Sequence, residues 1–197
     1  MRALSYYVAV TLDGFIAGPN GEFDAFPVEG DHMSAINERF ADTVPTDAAA
    51  ALGLAQVRSR FDTVLMGWNT YAVGLPFGVD SPYRHLRQLV FSREQEASGD
   101  GVETVRRDPV DVVRELKAEE GSGIWLCGGG ALAAALADEI DRLVLKRYPL
   151  LFGAGIPLFG PRPYAPSGFA EVATQVFETG VVLSEYVRTR SLRRPAR

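Results

Sequence analysis

The feature that most constrains the fold is a regular alternation of short apolar runs and helix-forming segments over the first 148 residues. Runs rich in β-branched and aromatic residues predict strands, and in chain order they are "LSYYVAVT", "DTVLMG", "RQLVFS", "VETVRR", "IWLC" and "DRLVLKRYPL". Helix signals stand between most of them, as in "DPVDVVRELKAEE", where Asp108 can cap a helix that begins at Pro109. This alternation predicts a largely parallel sheet that is covered by helices.

The pattern changes after residue 148, where the Gly/Pro-rich segment "LFGAGIPLFGPRPYAPSG" precedes two strand-like runs around Thr179 and Gly180. A tight turn between two such runs predicts an antiparallel C-terminal hairpin at the edge of the sheet. With 197 residues and 47% hydrophobic composition, the chain suits a single α/β domain, which we place at residues 1–190. Residues 191–197 are rich in arginine and predict a solvated, disordered tail.

Composition argues against several classes of function. The formal net charge of −5 is unlike that of a nucleic-acid binder. Cys127 is the single cysteine, so no intrachain disulfide forms, and His32 and His85 lack the spacing of metal ligands. No segment has the ~20 apolar residues that a membrane span needs, and the N-terminus does not read as a signal peptide. We therefore expect a cytoplasmic protein without a metal site.

Three glycines, Gly128 to Gly130, interrupt the apolar run "IWLC" and lead into the helix-forming segment "ALAAAL". Together with Ala131, Leu132 and Ala133 they satisfy the dinucleotide fingerprint G-x-G-x-x-A, but only a third of the chain follows them and the next strand ends in basic residues, which does not suit a Rossmann domain. Two other interpretations remain open: a tight strand-to-helix turn, or a phosphate-binding loop in a different fold, where bare backbone and a helix start accept an anion.

Two further strand ends favour the phosphate interpretation. The segment "VLMGWNTY" places Asn69 and Thr70 at the start of a helix, and "LVFSR" ends a strand with Ser92 and Arg93. A hydroxyl beside a guanidinium suits a phosphate monoester such as a ribose 2′-phosphate. Parallel sheets bind ligands outside the carboxyl ends of their strands. These ends jointly predict a dinucleotide site, with the 2′-phosphorylated dinucleotide preferred.

In this order, "VAVTLDGFIAG", "VLMGWNTY", "LVFSR" and "IWLCGGGAL" resemble the signature series of the dihydrofolate reductase-like superfamily. The chain is most similar to stand-alone relatives of the reductase domain of the bifunctional riboflavin-biosynthesis deaminase-reductase. The resemblance spans nearly the whole chain. It implies a three-layer α/β/α sandwich, NADPH as cofactor, hydride transfer to a small-molecule substrate, and a homodimer.

The resemblance also implies roles for residues at matching positions. Those expected to bind the cofactor are Gly67, Asn69 and Thr70 at its phosphates, Ser92 and Arg93 at the 2′-phosphate, Gly128, Gly129, Gly130, Ala131 and Leu132 at the pyrophosphate, and Ala9 and Ile16 at the nicotinamide. Trp68 departs from the family, which has a basic residue there. An indole stacks on adenine but neutralises no phosphate, so NADH is not excluded as the cofactor.

The substrate side carries no clear signal. Asp24, Glu29 and Asp31 lie in the first long loop and are weak candidates for the proton donor, since none lies in a matching motif. Ordered water is the alternative donor. Phe23 and Phe26 either form a stacking wall for a flat heterocycle or pin the loop to the core.

Three hypotheses follow. The first is an NADPH-dependent reductase acting on a C=N or C=O carbon of a small planar substrate. The second is a catalytically silent nucleotide-binding or sensing module of the same fold, which Trp68 and the unmatched acid favour. The third is an association role for the Gly/Pro-rich segment, whose Phe152, Phe159 and Tyr164 either pack across a two-fold interface or fold back over the chain's own sheet.

Overall fold

The computed structural model describes residues 1–189, which form ten strands and five α-helices. The strands are β1 Leu4–Val10, β2 Phe15–Ala17, β3 Phe61–Gly67, β4 Arg87–Phe91, β5 Val102–Val105, β6 Gly123–Gly128, β7 Arg142–Arg147, β8 Ile156–Pro157, β9 Phe169–Val176 and β10 Val182–Arg188. The helices are α1 Asp31–Arg39, α2 Thr46–Ala51, α3 Trp68–Ala72, α4 Pro109–Ala118 and α5 Gly130–Ala135, with 3₁₀ turns at Ala41–Thr43 and Leu75–Phe77.

Eight of the strands form one sheet in the order β5-β4-β3-β6-β1-β7-β10-β9. The first six strands in this order are parallel, and β10 and β9 continue the sheet antiparallel. The predicted mostly parallel sheet with an antiparallel C-terminal hairpin is therefore confirmed. Because six strands run in one direction, their carboxyl ends all meet at the same rim.

Two hydrophobic cores cover the two faces of this sheet. Successive side chains of a strand point to opposite faces, and the strands divide between the cores accordingly: Tyr6 belongs to one core and Tyr7 to the other, as do Leu126 and Trp125. One core contains Tyr7 and packs under α1, so we call its side the α1 face. The other contains buried residues of α4 and α5. Helices thus flank the sheet on both sides.

Local signals explain where the helices begin and end. The Asp108 side chain accepts a hydrogen bond of 2.8 Å from the Val110 amide, which confirms the predicted cap of α4. The helix predicted over "PTDAAAALGLAQVRSRF" is shorter than expected, because α2 stops at Ala51. Gly53 has φ +66 and the Leu54 amide returns to the Ala49 carbonyl at 2.9 Å, which is a Schellman ending.

The first long loop and the Gly/Pro-rich segment meet in a small second sheet that the sequence did not reveal. Strand β2 pairs antiparallel with β8. Asp13 strengthens this junction by accepting hydrogen bonds from the amides of Phe152 and Gly153, at 3.1 and 2.7 Å. The long loop is therefore held against the carboxyl rim of the main sheet.

No helix within residues 1–189 is long and apolar enough to cross a membrane. The tail predicted at residues 191–197 lies outside the described residues.

Candidate active site

One cleft of about 760 Å³ lies at the carboxyl rim, where four neighbouring strands end. Strands β3, β4, β5 and β6 each contribute the residues that follow them. Most of the predicted cofactor residues line it: Ile16, Gly67, Trp68, Asn69, Thr70, Ser92, Arg93, Gly128, Gly129, Gly130, Ala131 and Leu132. The structure therefore brings together segments that are far apart in the sequence.

Glycine is needed at positions 128, 129 and 130 for different physical reasons. Gly128 has φ +152, a backbone conformation that side chains disfavour, and its peptide bond to Gly129 is cis. At Gly130 an added Cβ would overlap the carbonyl oxygen of Pro157 in β8. At Gly129 the nearest atom to an added Cβ is Thr70 Oγ1, at 3.6 Å. The tight-turn interpretation thus applies to Gly130, whereas Gly129 presents bare backbone to the cleft.

The end of β3 packs directly against this glycine segment. A Cβ at Gly67 would lie 3.7 Å from the Gly129 nitrogen, and Thr70 Oγ1 is the atom nearest to a Cβ at Gly128. Trp68 lies between the cleft and the α1 face, where its ring packs on Tyr71 with a centroid distance of 5.5 Å. A hydroxyl and several backbone amides therefore converge on one small volume.

The positive charge in the cleft comes from arginines. Among the described residues, Arg93 forms no ion pair and no side-chain hydrogen bond, and it is exposed at the end of β4. Arg106 and Arg107 also line the cleft, but they pair with Glu96 and Glu115 respectively. The sequence interpretation missed these two, because "VETVRR" was read as a strand to its end, whereas β5 stops at Val105. Had the end of β5 at Val105 been recognised, its position beside β4 would have placed Arg106 and Arg107 at the same cleft.

Ser92 plays a partly structural role. Its hydroxyl oxygen accepts a hydrogen bond of 2.9 Å from the Gln95 amide, which fixes the turn that follows β4. The side chain is buried at the cleft wall, so it positions Arg93 as well as facing the cleft.

The mouth of the cleft is apolar. Ile16 and Ala17 of β2, Ile156 of β8 and the exposed ring of Phe23 line it. Phe26 is instead buried against Tyr148 and Phe152, with ring centroids 5.0 and 5.2 Å away. Each of the two alternatives therefore applies to one phenylalanine. Phe26 anchors the loop to the core, and Phe23 is exposed at the cleft, where it could contact a ligand.

Ala9 is the one predicted cofactor residue that does not line this cleft. It packs against the core of the α1 face, beside Lys146 of β7 in the strand register.

The three candidate acids do not converge on the cleft. Asp24 and Glu29 are exposed, and neither belongs to its lining. Asp31 accepts hydrogen bonds from the amides of Glu178 and Thr179, at 2.7 and 3.4 Å, and these bonds hold the pKa of its carboxyl below the ordinary value. Asp31 therefore ties α1 to the β9–β10 turn as a carboxylate and is poorly suited to donate a proton.

Cys127 forms part of the cleft wall at the end of β6. Burial raises the pKa of its thiol to about 11, so it is a protonated, weakly reactive group at neutral pH. The described residues contain no group of three potential metal ligands. His32 and His85 have ordinary partners instead: His32 is bonded to Thr179 and Pro27, and His85 to Thr46 and Asp42.

Comparison with known proteins agrees with this architecture. The family model of the RibD C-terminal domain matches residues 2–183. The uncharacterised protein YwjB of Bacillus subtilis is 30% identical over 164 residues, which cover 80% of this chain and 83% of YwjB. A putative riboflavin biosynthesis protein from Shewanella sp. PV-4 has a similar structure, with a TM-score of 0.71, 27% identity, and coverage of 96% of this chain and 100% of that one.

Two more distant structures share the fold. The diaminohydroxyphosphoribosylaminopyrimidine deaminase/5-amino-6-(5-phosphoribosylamino)uracil reductase of Thermotoga maritima has a TM-score of 0.65 at 17% identity, covering 95% of this chain and 57% of that one. Dihydrofolate reductase of Enterococcus faecalis, complexed with NADP(H), has a TM-score of 0.62 at 14% identity, covering 95% and 97%. The fold is therefore dihydrofolate reductase-like.

Proposed function

The chain belongs to the RibD C-terminal domain family, and on this premise we propose that it is an NADPH-dependent reductase of a small planar substrate. The observation that carries the proposal is the convergence of four strand ends on one cleft, with an unpaired guanidinium at one end and bare glycine backbone in the middle. These groups suit the two separate anionic parts of NADPH, its 2′-phosphate and its pyrophosphate.

Each group has a distinct task in this proposal. Arg93 binds the adenosine 2′-phosphate, because a free guanidinium forms strong charge-assisted bonds to phosphate oxygens. The backbone of Gly129 and the hydroxyl of Thr70 hold the pyrophosphate, where an absent side chain allows close approach. Helix α5 has only six residues, so we assign the binding to these groups rather than to a helix dipole.

The cofactor, when bound, supplies the hydride. The chain aligns the nicotinamide with a C=N or C=O carbon of a pterin, pyrimidine or related heterocycle, and it excludes water from that contact. In this proposal Ile16 and Phe23 of the cleft lining shield the contact, and Ala9 lies nearby on the α1 face without lining the cleft. The dihydrofolate reductase and uracil reductase neighbours support this substrate class.

A second candidate is a nucleotide-binding or sensing module without turnover. The observation in its favour is the placement of Asp24, Glu29 and Asp31, none of which lines the cleft. In this case cofactor binds, but no heterocycle oxidises it. We further propose a cytoplasmic homodimer, on the family resemblance. Phe152 and Phe159 are half-buried and pack on Phe26 and Tyr6 of their own chain, whereas Tyr164 is exposed and is the better candidate for such an interface.

The proposal is tested by titrating the protein with NADPH and with NADH while following tryptophan fluorescence. Trp125 is buried and donates a hydrogen bond to the Tyr7 carbonyl, so the response is expected from Trp68 in the cleft. A Trp68→Phe variant supplies the control. Absence of any response at millimolar NADPH would refute cofactor binding. NADPH absorbance is then followed with pterin, flavin and pyrimidine substrates, and binding without oxidation would support the silent module.

A further inference from the structure

The chain contains eighteen arginines but only two lysines, Lys117 and Lys146. Lys117 is buried and its ammonium is satisfied: it lies 2.8 Å from an Asp141 oxygen and 2.5 Å from the Glu139 carbonyl. Lys146 differs in this respect. Among the described residues it has neither an ion pair nor a hydrogen bond, although β7 is paired on both sides and Lys146 lies near its carboxyl end. Lys146 is half-buried, and its ammonium is therefore partly withdrawn from water without a counter-charge.

The position of Lys146 is fixed by strand register. Its neighbours across the sheet are Ala9 of β1 and Leu183 of β10, which bring no charge. The ammonium lies 4.4 Å from the centroid of the Tyr7 ring, which places it on the α1 face. Cation–π attraction of this kind stabilises a charge but leaves all three N–H donors free.

The surroundings of the ammonium connect it to the cleft. Cys127, which lines the cleft, is within electrostatic reach of Lys146, and Tyr83 approaches the Cys127 thiol. Tyr7 and Tyr148 are also near the ammonium, and Tyr148 in turn contacts His32 of α1 at 5.5 Å between ring centroids. Glu185 of β10 lies two residues from Leu183 on the same face, but its carboxylate is already paired with Arg39.

None of these neighbours offers a counter-charge at neutral pH. Burial raises the pKa of Tyr7, Tyr83, Tyr148 and Cys127, so all four remain protonated and neutral. Burial also lowers the pKa of Lys146 itself, which makes its ammonium a stronger acid than an exposed lysine. A free N–H donor close to Cys127, at the wall of the cleft in which we propose that the cofactor binds, is suited to general acid catalysis.

We propose that Lys146 is the proton donor of the substrate site and binds the acceptor edge of an oxo- or imino-heterocycle there. This inference rests on the proposed function. The hydride from C4 of NADPH forms a C–H bond at the substrate carbon while the C=N or C=O π bond breaks. A Lys146 N–H proton passes to the freed nitrogen or oxygen. NADP⁺ and neutral lysine result, and solvent water reprotonates the lysine.

The small number of lysines permits a direct test. Protein labelled with ¹³C at lysine Cε gives two side-chain signals, of which Lys117 is an internal control and Lys146→Met removes the other. With NADP⁺ present, millimolar pterin, lumazine, riboflavin and uracil are added in turn. At least one is expected to shift the Lys146 signal and not that of Lys117. The proposal is overturned if none does, or if Lys146 titrates like an exposed lysine, with a pKa of about 10.4.

Kinetics provides the second readout with whichever heterocycle is reduced. Lys146→Arg keeps the charge but cannot give up its proton at neutral pH, so we expect it to bind that heterocycle and to reduce it about 100-fold more slowly or worse. The wild-type rate should fall as pH rises through the lysine pKa, because the acid form is required, whereas the Lys146→Arg rate should not follow that pKa. Equal rates in both proteins would overturn the proposal.

The two proposals fail in distinguishable ways. NADPH binding, followed by Trp68 fluorescence, is expected to persist in Lys146→Met and Lys146→Arg, which also shows that each variant has folded. If NADPH binds to neither wild type nor variants, the reductase proposal fails. If NADPH binds to wild type and to both variants, but no heterocycle shifts the Lys146 signal, then only the proposed role of Lys146 fails.

Discussion

Cations at the two rims of the sheet differ in whether they have a carboxylate partner. At the amino rim, the guanidinium of Arg2 pairs with Asp62, lies 2.7 Å from Thr63 Oγ1 and donates to the Ser122 carbonyl at 2.8 Å. At the carboxyl rim, Arg93 has no such partner among the described residues, and Lys146 likewise has none. Other cations at the carboxyl rim, Arg106 and Arg107, do have carboxylate partners, so Arg93 and Lys146 differ from Arg2 and from these two arginines as well.

This contrast separates structural charge from charge that is available to a ligand. A buried ion pair with further hydrogen bonds holds strands together, and removal of one partner is strongly destabilising. A cation without a partner contributes little to folding but retains its full capacity to bind an anion. We therefore expect substitutions at the amino rim to change stability and substitutions at the carboxyl rim to change binding.

The largest effect is expected for Arg2→Ala. It leaves Asp62 partly buried without its cation, and we expect a loss of about 3 kcal/mol in the free energy of unfolding, measured by urea denaturation. The NADPH dissociation constant of the folded variant should match that of wild type. Weaker NADPH binding with unchanged stability would remove the distinction between the rims.

Gly130→Ala and Gly129→Ala test the distinction within one loop. An alanine Cβ at Gly130 overlaps the Pro157 carbonyl, so we expect about 2 kcal/mol of destabilisation. At Gly129 an added Cβ has room beside Thr70, so thermal stability should be nearly unchanged while NADPH binds about tenfold more weakly. If both variants lose only stability, the loop has no binding role.

Arg93→Ala should weaken NADPH binding by about tenfold and leave NADH binding unchanged, because one charge-assisted contact to the 2′-phosphate is lost. Arg106→Ala is the matched control, since Arg106 lines the same cleft but is engaged by Glu96. Calorimetric titration with each cofactor gives both constants. An equal loss for NADPH and NADH would exclude a 2′-phosphate contact at Arg93.

The smallest effects are expected for Asp24→Asn and Glu29→Gln. Both side chains are exposed and lie outside the cleft lining, so stability should change by less than about 0.5 kcal/mol and NADPH oxidation should be unaffected. Loss of turnover with intact NADPH binding in either variant would restore a loop carboxylate as the proton donor, in place of Lys146.

The residues that sequence predicted correctly are those whose role follows from local chemistry. A cap such as Asp108, a turn at Gly180 and a strand end at Gly67 each carry their own signal, and parallel order then brings the strand ends together. Helix α2 was overestimated because its apolar pattern continues past a Schellman ending that Gly53 imposes. These features depend on a few consecutive residues.

What sequence could not provide depends on residues that are distant along the chain. The pairing of β2 with β8 joins two segments with no strand pattern of their own. Whether an arginine is available to a ligand depends on whether a carboxylate lies close to it in the fold. Glu96 pairs with Arg106, whereas Arg93 has no such neighbour among the described residues. Lys146 ends an ordinary apolar strand, and only tertiary packing shows that its ammonium lacks a counter-ion.

The contact between Gly130 and β8 has a consequence for how the cleft could adapt to other ligands. The Gly130 carbonyl also accepts a hydrogen bond of 2.8 Å from the Gly160 amide. The glycine loop is therefore packed against the Gly/Pro-rich segment and has little room to move away from the cleft. A bulkier or differently charged cofactor could not be accommodated by relaxation of this loop alone. Divergence within this architecture would therefore have to proceed through residues such as Arg93 and Phe23, whose side chains are exposed and can be exchanged without disturbing the contacts of Gly130.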